Sequence, residues 1–240
     1  MRLAVAVVLA FLAIATGATA APECSAPAEI AGIGVPLPRL AAAIAAGRVP
    51  VVVALGSSST EGVGATAPER AYPARLAAEM RERHGLSTRV INMGTGGEAT
   101  SDMLRRFDRD VLRYRPDLVI WQTGSNTALR HVDPGAHHRA LEAGILRLRA
   151  IGADVILMSP QFAPRVIEAP RHGEIVSGLD RLAARAGVGL FHRFEIMRFW
   201  RQSGIPFEAM LSPDQLHMND WSYGCIARLL ADAIAARLKQ

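Results

Sequence analysis

The chain has 240 residues, of which 50% are hydrophobic, and a formal net charge of +5 at pH 7. This length and apolar content suit one globular domain with its own core, since domains commonly contain ~100–200 residues. The 27 basic residues are scattered among 22 acidic ones, aromatic residues make up 5%, and no basic run is interleaved with aromatic residues. That pattern argues against a nucleic acid as partner.

The first twenty residues have the three parts of a secretory signal peptide. Arg2 supplies a positive charge, an apolar stretch runs from Leu3 to Ile14, and Ala18-Thr19-Ala20 matches a cleavage pattern of small residues. The apolar stretch is short for a membrane span, which favours cleavage over a retained anchor. We therefore predict a signal peptide over 1–20 and a mature protein that is periplasmic or secreted, without stable insertion in a membrane.

Apolar strands alternate with amphipathic helices over the rest of the chain. An irregular lead-in with a short helix at Leu40–Ala46 is predicted over 21–48, and one domain over 49–240. The predicted strands are Val51–Leu55, Thr88–Met93, Leu118–Thr123, Val155–Met158 and Val188–Phe191. The predicted helices are Tyr72–His84, Ser101–Tyr114, His137–Ala150, Glu174–Ala186 and Asp220–Leu238. This alternation is typical of βαβ units, so we predict an α/β fold with a five-stranded parallel sheet and helices on both faces.

Cys24 and Cys225 are the two cysteines of the chain. In an oxidising compartment such a pair can form a disulfide, which would join the start of the mature chain to the last helix. The alternative is two free thiols, with Cys225 buried as a small apolar residue. The sequence leaves both alternatives open.

Polar or glycine-rich turns follow three of the predicted strands, and another precedes the last helix. Because parallel sheets bind ligands beyond the carboxyl ends of their strands, we expect these turns to meet at one edge. They offer a serine hydroxyl, backbone N–H groups, an amide, and an imidazole three residues after a carboxylate, which acyl transfer from an ester requires. Two long connections, 160–172 and 192–213, are expected to form the walls of a pocket at this edge. The four turns span 56–60, 92–98, 124–127 and 214–217.

Two other functional patterns are weaker. Residues 94–99 fit a loose dinucleotide-binding pattern, but they follow the second strand, and Asp117 precedes the third strand instead of ending one. His131, His137 and His138 flank a Pro-Gly turn without the spacing of a metal site. We therefore predict neither a nucleotide cofactor nor a bound metal.

In this order and on these elements, the four turns resemble the four sequence blocks of the SGNH/GDSL hydrolase family. The resemblance runs from about residue 51 to the C-terminus and implies a flavodoxin-like, three-layer α/β/α sandwich that hydrolyses esters or thioesters without a metal ion or organic cofactor. It implies that Ser58 is the nucleophile, His217 the general base and Asp214 the acid that orients the base. It also implies an oxyanion hole made of the backbone N–H groups of Ser58 and Gly97 and the side-chain amide of Asn126.

The sequence departs from the family pattern at two positions. Ser57 stands where the family has Asp before the nucleophile, and Thr127 stands where the third block has Asp. Neither position holds an implied catalytic role, but each lacks a carboxylate that would fix a turn, so we expect different hydrogen bonding there. The residues alone leave the neighbouring serines open as nucleophiles and Gly96 open as the donor; the resemblance makes the choice.

The sequence thus predicts an exported serine esterase for short acyl esters, such as O-acetyl groups on carbohydrate, because the chain lacks a strongly apolar lid. Two alternatives stand beside it: a lipase or thioesterase for longer acyl chains, and a secreted carbohydrate-binding module that has the fold without turnover. The expected partner is a small-molecule or glycan ester. Phe162, Trp200 and Trp221 are candidates either for the pocket or for the core.

Overall fold

Five parallel strands form one sheet in the computed structural model of the chain, which describes residues 23–238. The strands are β1 (Val51–Gly56), β2 (Arg89–Gly94), β3 (Leu118–Gln122), β4 (Asp154–Met158) and β5 (Gly189–Phe191). Their order across the sheet is β2-β1-β3-β4-β5, and each neighbouring pair is parallel. This is the flavodoxin-like strand order, so the predicted α/β fold with a five-stranded parallel sheet is confirmed. The predicted signal peptide lies outside the described residues.

Helices cover both faces of the sheet. Within residues 23–238 they are α1 (Ala28–Ala31), α2 (Pro38–Ala45), α3 (Ser58–Glu61), α4 (Tyr72–His84), α5 (Thr100–Arg105), α6 (Phe107–Asp110), α7 (Ser125–Leu129), α8 (Pro134–Ala150), α9 (Pro164–Ile167), α10 (His172–Ala186), α11 (Arg193–Gln202), α12 (Phe207–Met210) and α13 (Asp220–Leu238). Apolar side chains of α2, α4, α11 and α13 pack on one face, and those of α5, α6, α8 and α10 pack on the other. None of these helices is long and apolar enough to cross a membrane.

The strands β1, β3, β4 and β5 are largely apolar because helices bury both of their faces, whereas the edge strand β2 has no buried residue. Side chains alternate between the faces along a strand. In β1, Val52 and Ala54 therefore belong to the core beneath α13, whereas Val53 and Leu55 belong to the core beneath α8. This double burial places the carboxyl ends of the strands, and the turns that follow them, on a rigid base.

The helix predicted at 101–114 is instead α5 and α6, followed by a short 3-10 helix at Leu112–Tyr114. Arg106 occupies the break between α5 and α6. Its buried guanidinium donates hydrogen bonds to the carbonyl oxygens of Gly56 and Met93, both at 3.0 Å. These bonds to the ends of β1 and β2 override the local helical pattern.

The connection predicted over 192–213 contains α11 and α12, which the sequence analysis missed. Phe194, Met197 and Trp200 recur at intervals of three residues, are all buried, and form an apolar stripe along α11. That spacing was the available signal for a helix.

A disulfide joins Cys24 to Cys225 of α13, with the two Cα atoms 5.4 Å apart. Of the two alternatives that the sequence left open, the structure therefore has the bridged pair. The indole N–H of Trp200 also donates a hydrogen bond of 2.7 Å to the carbonyl oxygen of Ser25. The disulfide and this bond hold the segment before α1 against α11 and α13.

Two glycines allow α3 to lie against the ends of β1 and β2. A Cβ atom added to Gly94 would lie 2.0 Å from the backbone nitrogen of Glu61, and one added to Gly56 would lie 2.0 Å from Oγ1 of Thr60. Side chains do not tolerate such distances, so α3 takes this place only because both strands end in glycine. The last residues of β1 and β2 thereby set the position of Ser58, the first residue of α3.

We expect Gly94→Ala to lower the free energy of unfolding by ~1–3 kcal/mol, because the added Cβ meets backbone that cannot rotate away. Urea unfolding measures this change. Gly173→Ala is the matched control, since a Cβ there meets nothing within 4 Å. Equal free energies of unfolding for the two variants would contradict the tight contact at Gly94.

Candidate active site

Ser58 is the half-buried serine of its turn, whereas both of its neighbours are buried. The backbone N–H and the hydroxyl of Ser57 donate hydrogen bonds to Oε1 of Gln122, at 2.9 and 3.1 Å. Thr60 donates to the same oxygen at 3.2 Å. Hydrogen bonds between neutral groups, accepted by Gln122 at the end of β3, thus hold this turn, in which the family has an aspartate at the position of Ser57.

Ser58, His217 and Asp214 form one hydrogen-bonded chain. Nε2 of His217 lies 2.7 Å from Oγ of Ser58, and Nδ1 lies 2.5 Å from Oδ2 of Asp214. An ionised carboxylate only accepts hydrogen bonds, so Nδ1 carries the proton and Nε2 accepts from the serine hydroxyl. The structure therefore brings these three predicted residues together in the order that removal of a proton from Ser58 requires.

Local hydrogen bonds fix the Asp214 carboxylate. Oδ1 accepts from the backbone N–H groups of Leu216 and His217, at 3.0 and 2.9 Å, and from the hydroxyl of Ser212, at 2.8 Å. Burial alone would raise the pKa of Asp214, but the hydrogen bonds from the His217 ring and from the two backbone N–H groups outweigh burial and hold this pKa well below its usual range. Asp214 therefore stays ionised and orients the imidazole.

The glycine turn after β2 lies beside Ser58. A Cβ added to Gly96 would lie 3.9 Å from Cβ of Ser58, and the next residue, Gly97, has a left-handed backbone with φ of 77°. The side-chain amide of Asn126 donates a hydrogen bond of 2.9 Å to the carbonyl oxygen of Glu98. This bond uses one N–H of the Asn126 amide, so the second can serve a ligand. The turns with Gly97 and Asn126 therefore adjoin each other and the serine.

Thr127 belongs to a buried polar cluster where the family has an aspartate. The hydroxyls of Thr100 and Thr127 lie 2.7 and 3.2 Å from Nδ1 of His137, and Thr100 also bonds to Thr123 at 2.6 Å. Burial, with a smaller contribution from the positive charge of neighbouring His138, lowers the pKa of His137 to about 3. His137 is therefore neutral near pH 7 and joins α5, α7, α8 and the end of β3 without a charge.

The predicted pocket aromatics have different roles. Trp200 is buried in the core, and Trp221 packs against it with ring centroids 4.9 Å apart. Half-buried Phe162 stacks on Phe207 at 5.8 Å and meets Phe194 edge-on at 5.2 Å. A cavity of about 280 Å³ between Phe207 and Gln215 borders the turn that holds Asp214.

Sequence reasoning missed the polar residues that support the site. Gln122 and Ser212 each bond to one of its turns, and Gln161 bonds to three of them. A glutamine that ends an apolar strand was the available signal for Gln122. Among residues 23–238, no three or more His, Cys, Asp or Glu side chains are grouped so that they could hold a metal ion.

The pH dependence of stability should include a contribution from His137. Its pKa falls from 6.5 in the unfolded chain to about 3 in the fold, so the unfolded state binds an extra proton between these values. The contribution of His137 to the free energy of unfolding is therefore fully present above pH 6.5. It is lost as the pH falls, by about 2 kcal/mol between pH 7.5 and 5. Urea unfolding at both pH values should show this loss in the unchanged protein and a smaller loss in His137→Gln. His131→Asn, at an exposed position, is the control, and an unchanged pH dependence in His137→Gln would contradict the assignment.

A parallel sheet in this strand order, with a serine, a histidine and an aspartate joined beyond its carboxyl edge, defines the SGNH/GDSL class of hydrolases. A model of the non-GDSL lipase-like family matches residues 23–240, and the chain belongs to this family. The predicted resemblance is thereby confirmed, as is the prediction of a carboxylic ester hydrolase of the SGNH type.

Several known proteins are similar to most of this chain. An arylesterase from Vibrio mimicus is 25% identical over 171 residues, which are 71% of this chain and 81% of the arylesterase. A lipase/acylhydrolase from Enterococcus faecalis has a TM-score of 0.69 at 26% identity, with 79% of this chain and 97% of that chain covered. A two-domain esterase active on acetylated mannans has a TM-score of 0.72 at 20% identity and covers 88% of this chain, which spans 56% of that esterase.

Proposed function

We propose that the chain is an exported serine esterase that hydrolyses short acyl esters, such as O-acetyl groups on carbohydrate, through an acyl-enzyme on Ser58. The hydrogen-bonded chain from Ser58 through His217 to Asp214, with distances of 2.7 and 2.5 Å, carries this proposal. A serine hydroxyl is a weak nucleophile until a base removes its proton, and this arrangement supplies the base.

In the first half of the reaction, Oγ of Ser58 attacks the ester carbonyl carbon while Nε2 of His217 accepts the hydroxyl proton. The carbonyl electron pair moves onto oxygen and forms a tetrahedral oxyanion. When this intermediate collapses, the bond to the alcohol breaks and the alcohol leaves with the proton from His217. Asp214 stabilises the imidazolium and does not itself take the proton.

In the second half, His217 removes a proton from water, which attacks the acyl group on Ser58. Collapse of the second tetrahedral intermediate returns the proton to the serine oxygen and releases the carboxylic acid. Both halves build negative charge on the same oxygen, which the N–H groups of Ser58 and Gly97 and the amide of Asn126 stabilise. The position of the Gly96–Gly97 turn beside Ser58 and the bond from Asn126 to Glu98 support these roles.

The proposed substrate class rests on the comparisons, because the cavity of about 280 Å³ beside the Asp214 turn is lined by none of the proposed catalytic residues. The fold of the two-domain esterase active on acetylated mannans supports an acetylated carbohydrate as substrate class. The signal pattern of residues 1–20 and the Cys24–Cys225 disulfide support export, because disulfides persist in oxidising compartments.

A lipase or thioesterase for longer acyl chains is the second candidate. The stacked pair of Phe162 and Phe207, both half-buried, offers an apolar surface that would suit a longer chain. The two candidates differ in how the rate depends on acyl length, since each buried methylene adds ~0.8 kcal/mol of binding.

We expect p-nitrophenyl acetate and butyrate to be cleaved with higher kcat/KM than the decanoate, and acetate to be released from an acetylated glycan. Ser58→Ala should abolish both activities and labelling by a fluorophosphonate, because the acyl-enzyme cannot form. Ser203→Ala, at an exposed serine, is the matched control and should keep them. Rates that rise steadily to the decanoate would favour the lipase, and full activity in Ser58→Ala would refute the acyl-enzyme.

Asn126→Ala should lower kcat by about 100–1,000-fold, the typical effect of losing one oxyanion donor. KM should change little, because the amide bonds more strongly to the oxyanion than to the ground-state ester. Steady-state kinetics on p-nitrophenyl acetate separates the two constants. A raised KM with unchanged kcat would instead make Asn126 a residue for ground-state binding.

A further inference from the structure

The buried side-chain amide of Gln161 contacts three residues, and each of them is adjacent in the sequence to a proposed catalytic residue. Oε1 of Gln161 accepts hydrogen bonds from the hydroxyls of Ser125, at 2.7 Å, and Ser59, at 3.4 Å. Its Nε2 donates to the carbonyl oxygen of Leu216 at 3.2 Å. Ser59 follows Ser58, Ser125 precedes Asn126, and Leu216 precedes His217.

These three contacts join segments that are distant in the sequence. Gln161 is separated from Ser59, Ser125 and Leu216 by 102, 36 and 55 residues. It lies three residues beyond the end of β4 and is 1% exposed, so it reaches the site from beneath and leaves the surface free for a substrate. A single rigid group therefore couples three turns that the sheet alone does not connect.

Arg193, the first residue of α11, holds Gln161 in place. Its Nη2 donates to Oε1 of Gln161 at 2.9 Å, and its Nε donates to the carbonyl oxygen of Ser159 at 3.0 Å. The side chain is fully buried, and burial lowers the pKa of Arg193 to about 10, so it keeps its charge near neutral pH.

The arginine has no counter-ion in the part of the chain that the structure describes. Among residues 23–238 its electrostatic neighbours are Tyr72 and Tyr223 and not a carboxylate, and Nη1 has no hydrogen-bond partner there. A buried charge without an ion pair destabilises a fold. The hydrogen bonds that hold the buried charge of Arg193 in place go to Gln161 and to the carbonyl oxygen of Ser159.

We propose that Gln161, held by Arg193, is a positioning residue that sets the mutual placement of the turns with Ser58, Asn126 and His217. The inference rests on the proposed function, which gives those residues their catalytic roles. Proton transfer depends on the 2.7 Å approach of His217 to Ser58, and a displacement of about 1 Å can reduce a rate ~100-fold. The rate should therefore depend on Gln161 although it lies beneath the substrate surface.

Two substitutions separate positioning from stability. Gln161→Leu removes all four hydrogen bonds without adding a charge. Gln161→Glu keeps acceptors for Ser59 and Ser125 and gives Arg193 a carboxylate partner, but it loses the donor to Leu216. Asp117→Asn is the matched control, since Asp117 is a buried residue at the opposite edge of the sheet, where it accepts from the N–H of Val51 at 3.0 Å.

The experiment measures kcat and KM on p-nitrophenyl acetate and the rates of acylation and deacylation, all at a temperature well below the lowest Tm among the variants. Tm is measured separately for each variant. We expect both Gln161 variants to lose about 10–100-fold in kcat, with KM changed by less than about threefold. Acylation and deacylation should slow together, because His217 acts in both. Gln161→Glu should retain the unchanged protein's Tm or exceed it, whereas Asp117→Asn should lower Tm and keep kcat.

Three results would overturn the positioning role. The first is a kcat for Gln161→Leu equal to that of the unchanged protein, and the second is a loss of kcat confined to Gln161→Glu, because that loss would report only the added charge. The third is a kcat that follows Tm in every variant, including Asp117→Asn. If Gln161→Leu does not fold, full activity in Gln161→Glu overturns the role. Ser58→Ala is measured in parallel: its full activity overturns the proposed function, whereas its inactivity beside active Gln161 variants overturns the positioning role alone.

Discussion

The close approach of α3 to the ends of β1 and β2 is the constraint on which the site depends. Gly56 and Gly94 leave room for it, and Arg106 bonds to the carbonyl oxygens of Gly56 and Met93 so that the two strand ends keep their spacing. Ser58 is therefore set by the sheet itself. His217 must be brought to it from a position 159 residues further along the chain, so its own turn has to be fixed independently.

Neutral groups replace two carboxylates around this site. Ser57 bonds to Gln122, and Thr127 lies in the cluster around neutral His137. The carboxylate that bonds to the His217 ring is that of Asp214, whose position is fixed by the backbone N–H groups of its own turn.

Local sequence patterns were sufficient for most of the fold. The helix at Tyr72–His84 has the predicted bounds. The first and last residues of each predicted strand lie within two residues of those of the observed strand. The break at Arg106 was not predictable, because it depends on hydrogen bonds to strand ends that are distant in the sequence. The same limit applies to the disulfide, since only the fold brings the Cα atoms of Cys24 and Cys225 to 5.4 Å.

The site was also predicted only in part from local sequence patterns. The order of the four turns could be recognised in the sequence, but the choice of Ser58 among three serines came from the family resemblance. Burial explains that choice physically, because Ser57 and Ser59 face inward to Gln122 and Gln161 and only Ser58 is left to meet His217. The only local signal for Gln122 was its place at the end of an apolar strand, and Gln161 had none, since the importance of both lies in the partners that the fold gives them.

The bridge between Cys24 and Cys225 encloses a stretch of chain with a sequence separation of 201. A protease that nicks one exposed turn inside this stretch would open the backbone without releasing a fragment. The two pieces would stay in a single covalent molecule, each still packed on the common sheet. The ring that this disulfide closes therefore gives the molecule a tolerance to a first cut that an unbridged chain would lack.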